Sequence, residues 1–225
     1  QQDKRFKTKF VDLKSVPFPL KIKNTSSLFT VMITYSEAKD IEIPEKKDTG
    51  IEVIRLAYFK PEIDKALKLA IKIKEKGYLV FLQAMATFLY TDDELKKMIQ
   101  KVNKLQPFFF CMVDSFGVMY NDDVMHMYSL INNELSPGIG LGFHAHNNQQ
   151  MALSNAITFL SECEKSNRLS CVDASIYGMG RGAGNVNLEL LMHYLNKKFR
   201  TNYAPDKILF LWDKYLKKDF MISPW

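Results

Sequence analysis

Short apolar runs alternate along this chain with longer amphipathic stretches. Val31-Met32-Ile33-Thr34-Tyr35 reads as a buried strand and Glu52-Val53-Ile54-Arg55-Leu56-Ala57 as the next. Pro61 opens a helix that runs to about Lys76, with Ile63, Leu67, Ala70 and Ile71 on its apolar face, and Gly77 ends it. Tyr78 to Ala84 is a strand. Thr91-Asp92-Asp93-Glu94 has the spacing of a capping box, and the helix after it carries the stripe Leu95, Met98, Ile99, Val102 and Leu105. Phe108 to Val113 is a wholly apolar strand that ends in Asp114-Ser115-Phe116-Gly117. A helix over 121–134, a strand over 138–143, a helix over 149–163, a strand over 170–176 and a helix over 186–199 complete the series. Residues 1–27 are irregular, interrupted by Pro17 and Pro19, and 201–225 reads as a C-terminal helical extension.

Apolar strands alternating with helices predict a parallel sheet covered by helices. A doubly wound sheet accepts six strands, whereas a (β/α)8 barrel needs two more. Polar groups cluster after the ends of several strands, at Asp114, Ser115, His144, His146 and the 178–185 loop. A TIM barrel gathers such groups at one face. The expectation is therefore an α/β fold, a single partial (β/α)8 TIM barrel, with residues 28–200 supplying strands three to eight and the first two strands lacking in this chain. The chain opens at Gln1 and closes at Trp225 behind an apolar–aromatic stretch, and both ends read as cuts through something longer.

Composition narrows this little. The 225 residues are 47% hydrophobic and 25% charged, as in an ordinary globular protein with a sizeable core. The net charge of +6 comes from lysines spread along helical faces, such as Lys65, Lys68, Lys72 and Lys76, with no basic block interleaved with aromatics. That favours a solvated surface over a nucleic-acid partner. Cys111, Cys163 and Cys171 show no paired metal spacing, and an odd count suits reduced thiols and the cytoplasm. No apolar run approaches the roughly 20 residues that span a bilayer, so no membrane is expected. A barrel with unpaired strands suggests a homo-oligomer.

The chemistry concentrates in His144-Ala145-His146. Residues i and i+2 of a strand share a side, so the two imidazoles can grip one divalent ion; the alternative is a hydrogen-bonded structural pair. The glycine-rich run Gly178-Met179-Gly180-Arg181-Gly182-Ala183-Gly184-Asn185 could cradle an anion with backbone N–H groups, or pack a strand closely on a helix. Asp114 and Ser115 are candidate catalytic groups, with a turn or helix cap as the alternative. Arg55 could meet a substrate carboxylate or form an internal salt bridge with Asp114 or Asp173. Asp173 is assigned to structure, His126 and His193 to surface or packing, and the run Phe108-Phe109-Phe110 to the core.

Gly142-Phe143-His144-Ala145-His146-Asn147-Asn148, followed by Val172-Asp173-Ala174-Ser175-Ile176-Tyr177 and the glycine-rich run, resembles the last two strands of the DRE-TIM metallolyases, the HMG-CoA lyase-like superfamily. Met112-Val113-Asp114-Ser115-Phe116-Gly117 resembles the preceding strand end in its 4-hydroxy-2-oxovalerate aldolase branch. The likeness spans about residues 30–200. It implies a divalent metal, Mn2+ or Mg2+, on His144 and His146, with Asn185 matching a metal-reaching Asn of the HMG-CoA lyase branch. It also implies that Ser115 helps to hold a substrate carboxylate, and that the substrate is a small 2-oxo acid cleaved by a retro-aldol reaction through a pyruvate enolate.

One departure stands out. The superfamily's Asp-Arg motif, whose Asp is a third metal ligand and whose Arg stabilises the enolate, is not recognisable. Asp3-Lys4-Arg5 is the early candidate, but it lacks a strand before it and glycines after it. The chain alone is therefore expected to be an incomplete catalyst, and two ligands alone to hold metal weakly. The alternatives are an acyl-CoA-condensing synthase of the homocitrate or isopropylmalate type, and a non-catalytic keto-acid-binding or scaffold relative. A metal hydrolase is less favoured, since there the His-x-His pair usually sits on the first strand.

Overall fold

The computed structural model of the chain describes residues 12–16, 27–38 and 41–222. Asp3-Lys4-Arg5 and most of the irregular 1–27 segment lie outside these. Six strands form one parallel sheet: β1 (Thr30–Thr34), β2 (Val53–Tyr58), β3 (Leu79–Ala84), β4 (Phe109–Asp114), β5 (Gly140–Ala145) and β6 (Ser170–Val172), each hydrogen-bonded to the next in sequence order. Between and after them come α1 (Tyr35–Ala38), α2 (Ile63–Glu75), α3 (Asp92–Leu105), α4 (Asn121–Glu134), α5 (Ala152–Ser166), α6 (Leu188–Phe199), α7 (Pro205–Leu211) and α8 (Lys217–Ile222). The progression β1 to β6, without a reversal, is barrel order. Among the described residues β6 does not return to β1, so the sheet is six strands of a TIM-barrel-type fold.

Alternation along each strand makes two unlike faces. Ile54, Leu56 and Tyr58 of β2, Leu82 of β3, Phe110 and Met112 of β4, and Leu141 and Phe143 of β5 pack with the helices in one buried core. Their neighbours Arg55, Gln83, Cys111, Gly142 and His144 occupy the opposite, concave face, and the register Gln83↔Cys111↔Gly142↔Cys171 lines them up in a row. Phe81 and Phe109 stack at 4.6 Å lower on that face, in keeping with the expected core role of the aromatic run. All six residues of β4 are buried. The edge strand β1 is wetter, with Met32 63% exposed.

The capping box forms as expected: Thr91 Oγ1 accepts from Glu94 N at 3.3 Å, and Glu94 Oε2 accepts from Thr91 N at 2.9 Å. One helix face and two element ends differ most from the sequence reading. On α2 the buried stripe is Ala66, Leu69, Ala70 and Ile73, while Ile71 is 46% exposed. Apolar residues occur at almost every second position there, so two stripes compete, and the one carrying small alanines lets the helix approach the sheet. The helix expected from 149 starts at Ala152, because Asn147 Oδ1 accepts from Ala152 N at 3.1 Å and residues 147–151 form a turn. The strand expected to reach 176 ends at Val172. Beyond α6, the helical stretch runs over 205–222, with a π-helical turn at Trp212–Leu216, and Trp212 stacks on Tyr177 at 4.5 Å.

Candidate functional site

The loops at the carboxyl ends of β3 to β6 are tied into one surface. Ala86 N donates to Ser115 Oγ at 2.8 Å, and His146 N to the Asp114 carbonyl at 3.2 Å. Asn148 Nδ2 donates to the Phe116 carbonyl at 2.8 Å, and Asn147 N to the Gly184 carbonyl at 2.8 Å. His146 and Asn185 form an isolated antiparallel bridge. Glycine is required at position 117, where φ is +59° and a Cβ would lie 2.6 Å from the His146 carbonyl oxygen.

His144 and His146 face each other with ring centroids 5.1 Å apart and planes at 77°. Two imidazoles bound side by side to one ion at ~2.1 Å place their centroids roughly 4.5–5 Å apart. Burial, and then the neighbouring His144, pull the His146 pKa below its ordinary value, which favours the neutral, ligating form. His144 Nδ1 lies 3.0 Å from Asp173 Oδ2. Asn185 Nδ2 donates to the Met179 carbonyl at 2.8 Å, whereas its Oδ1 is buried and has no partner among the described residues. A buried acceptor without a partner costs about 1–3 kcal/mol. Such an orphan, on a residue bridged to His146, fits a hard divalent cation, which takes nitrogen and amide-oxygen donors together. Among the described residues no third His, Cys, Asp or Glu completes a cluster of three.

The other expected site residues fare unequally. Ser115 sits half-buried at the end of β4. Its Oγ accepts from Ala86 N, which leaves its O–H free to donate. Asp114 is fully buried and makes the contacts of the turn-cap alternative: Oδ1 accepts from Val118 N and Oδ2 from Met119 N, both at 3.0 Å. Arg55 has its internal partner in Asp173, with Nη2 on Oδ2. With the Gln83 amide oxygen turned toward it, Arg55 also donates to Gln83 from Nε at 3.1 Å and from Nη2 at 2.8 Å. Burial opposes the Arg55 charge, but Asp173 outweighs burial and holds the guanidinium pKa above its ordinary value.

The glycine-rich loop packs on itself more than it cradles. The N–H groups of Gly178, Met179, Gly184 and Asn185 bond to carbonyls within residues 175–181, and Ala183 N donates to Asn148 Oδ1 at 3.0 Å. His126 pairs with Asp92 on the exposed surface, and His193 is exposed. Sequence reasoning missed Gln83, and it gave Asp173 to structure although the carboxylate touches His144. The usable signal was pairing register: Gly142↔Cys171 sets residue 173 beside residue 144 on the concave face.

A parallel barrel-type sheet with polar loops gathered at its carboxyl-end face defines an α/β protein of the TIM-barrel type. The HMGL-like family model matches residues 54–210, and the chain belongs to that family. A curated relative from Spirochaeta aurantia, named 4-hydroxy-2-oxovalerate aldolase, is 31% identical over 163 residues, covering 71% of this chain and 44% of its own. The chain thus spans less than half the length of that relative. The N-terminal domain of a Bacteroides vulgatus protein described as an aldolase superposes with a TM-score of 0.72 at 29% identity, covering 86% of this chain and 64% of that one. The HMG-CoA lyase from Brucella melitensis superposes with a TM-score of 0.63 at 16% identity, covering 80% and 70%. That last likeness concerns the fold alone.

Proposed function

We propose that the protein is a divalent-metal-dependent aldolase or lyase that cleaves or forms a carbon–carbon bond in a 4-hydroxy-2-oxo acid through a pyruvate enolate. The observation that carries this is the edge-to-face pair His144 and His146, with the orphaned Asn185 Oδ1 on a residue bridged to His146. The relatives named as aldolases support the reaction class.

His144, His146 and Asn185 would hold the ion, and Mn2+ or Mg2+ suits a nitrogen and amide-oxygen set. When bound, it supplies Lewis-acid stabilisation of negative charge on the 2-oxo group. In the cleavage direction a general base takes the 4-hydroxyl proton, the C3–C4 bond breaks, an aldehyde leaves, the electron pair remains as the pyruvate enolate, and protonation at C3 gives pyruvate. The Ser115 hydroxyl has a free proton to donate to the substrate carboxylate. Arg55 is held by Asp173 and Gln83, so its positive charge acts from within the concave face. The Asp-Arg segment that the family resemblance implies is not among the described residues, and this reading requires the full-length protein to carry one. Without it, a non-catalytic keto-acid-binding relative is the better account.

Among the described residues no helix is long and apolar enough to cross a membrane. Cys111, Cys163 and Cys171 are free thiols, which suits the reducing cytoplasm. The exposed β1 edge suits assembly as a homo-oligomer.

The test is metal analysis of the full-length protein together with pyruvate release from a panel of 4-hydroxy-2-oxo acids. Pyruvate should appear, stop on chelation and return with Mn2+. Metal-loaded protein that releases no pyruvate from any of them removes the aldolase assignment.

A further inference from the structure

We propose that Asp173 is a positioning residue: it fixes the His144 tautomer so that Nε2 is the ligating nitrogen, and Arg55 with Gln83 holds Asp173 in place for that task. This rests on the reading of His144 as a metal ligand.

A neutral imidazole carries one proton, and the partner of one nitrogen decides which nitrogen keeps a lone pair. Nδ1 of His144 stands 3.0 Å from Asp173 Oδ2. An ionised carboxylate only accepts, so Nδ1 carries the hydrogen and donates it. Nδ1 is thereby removed from ligation, and Nε2 keeps the lone pair.

Nothing about β6 would hold Asp173 there by itself. The strand is three residues long and already over at Val172, and one bond, Asp173 N to the Phe143 carbonyl at 3.0 Å, continues its pairing. The side chain is held from the opposite direction. Arg55, on β2, places Nη2 on the same Oδ2 that receives His144, and Gln83 on β3 fixes the guanidinium through Nε and Nη2. Four side chains from β2, β3, β5 and the end of β6 thus form one chain of hydrogen bonds across the concave face. Position 142 helps to keep that face open: a Cβ there would collide with the sulfurs of Cys111 and Cys171. A carboxylate that orients a ligating histidine, itself held by further bonds, is the usual support of a metal site, and its loss costs roughly 10–100-fold in metal affinity.

The experiment uses full-length protein labelled with 15N at histidine, of which this chain has four. Long-range 1H–15N correlation spectra of the metal-free protein should show His144 protonated at Nδ1. Asp173→Ala should convert that signal to a mixture of tautomers and weaken Mn2+ binding by roughly 10–100-fold in calorimetry. Asp173→Asn keeps the volume and one acceptor oxygen, so it should retain the tautomer and fall between wild type and Asp173→Ala in affinity. His144 protonated at Nε2 in the wild type, or an Asp173→Ala protein unchanged in both tautomer and affinity, overturns the proposal. If Asp173→Ala does not fold, the wild-type spectrum and the isosteric variant still decide. Wild-type protein that shows the Nδ1–H tautomer but binds no Mn2+ sinks the metal reading and leaves the orienting role of Asp173 supported.

Discussion

Arg55 on β2 forms an ion pair with Asp173, which follows β6, four strands away. In a flat sheet, neighbouring strands lie about 4.8 Å apart, so four spacings would separate the two backbones by roughly 19 Å, far beyond the combined reach of one arginine and one aspartate. The contact therefore requires the sheet to curl toward its concave face. Six apolar strands in a row do not distinguish a barrel from a doubly wound sheet. Consecutive strand order and this ion pair do, because both need continuous curvature of one sign.

Removing the histidine pair should abolish metal binding without unfolding the protein. His144→Ala and His146→Ala are each expected to weaken Mn2+ binding at least tenfold by calorimetry, with little change in thermal midpoint, since neither ring belongs to the hydrophobic core. The His146 pKa lies below its ordinary 6.5. The contribution of His146 to affinity should therefore persist to mildly acidic pH and be lost as the pH drops through that lowered value. An affinity that already collapses above the ordinary histidine value would contradict a neutral, ligating His146.

Gly142→Ala should destabilise. The added Cβ meets the sulfur atoms of Cys111 and Cys171, and overpacking a filled interior costs about 1–3 kcal/mol. For a domain of this size each kcal/mol lowers the thermal midpoint by about 2–4 °C. A scanning-calorimetry midpoint equal to wild type would show that the thiols move aside without cost.

Acid should remove the contribution of Asp173. Burial pushes its carboxyl pKa up, but the hydrogen bond from His144 and the charge of Arg55 outweigh burial and hold it below the ordinary 3.8. A carboxylate with a depressed folded pKa stabilises the native state above its unfolded pKa and loses that contribution as the pH falls through the folded value. Wild type should therefore lose stability relative to Asp173→Asn below about pH 4. Denaturant midpoints for the two proteins that stay a constant distance apart from pH 7 down to pH 2 would contradict this.

Thiol reactivity should be uneven. Burial pushes the Cys163 thiol up to about 12 and the Cys111 thiol well above its ordinary range. Native protein at pH 8 should take up iodoacetamide at Cys171, which is half-buried, and only slowly at the other two. Mass mapping that finds Cys163 labelled as fast as Cys171 would refute the assignment.

The placement of the candidate site residues was legible from one dimension. Ser115, His144, His146 and Asn185 all lie at ends of strands or in the loop after one, where alternation and turn chemistry can be read locally. The same local view left Asp114 between a catalytic role and a cap, because a carboxylate at a strand end looks alike whether it meets substrate or two backbone N–H groups. It also could not weigh Asp173 and Gln83. Their importance depends on partners 29 and 118 residues away for Asp173, and on a guanidinium from another strand for Gln83.

The sequence by itself determined which segments are strands and helices, the capped start of α3, and the nearness of His144 to His146, since each follows from backbone geometry and side-chain periodicity over a few residues. Tertiary structure alone decided that Arg55 meets Asp173 rather than Asp114, that α2 buries Ala66 and Ile73 rather than Ile71, and that the Asn185 oxygen is left without a partner among the described residues. Those outcomes depend on sheet curvature and strand register, which are set by the sum of many distant contacts and leave no periodic trace along the chain.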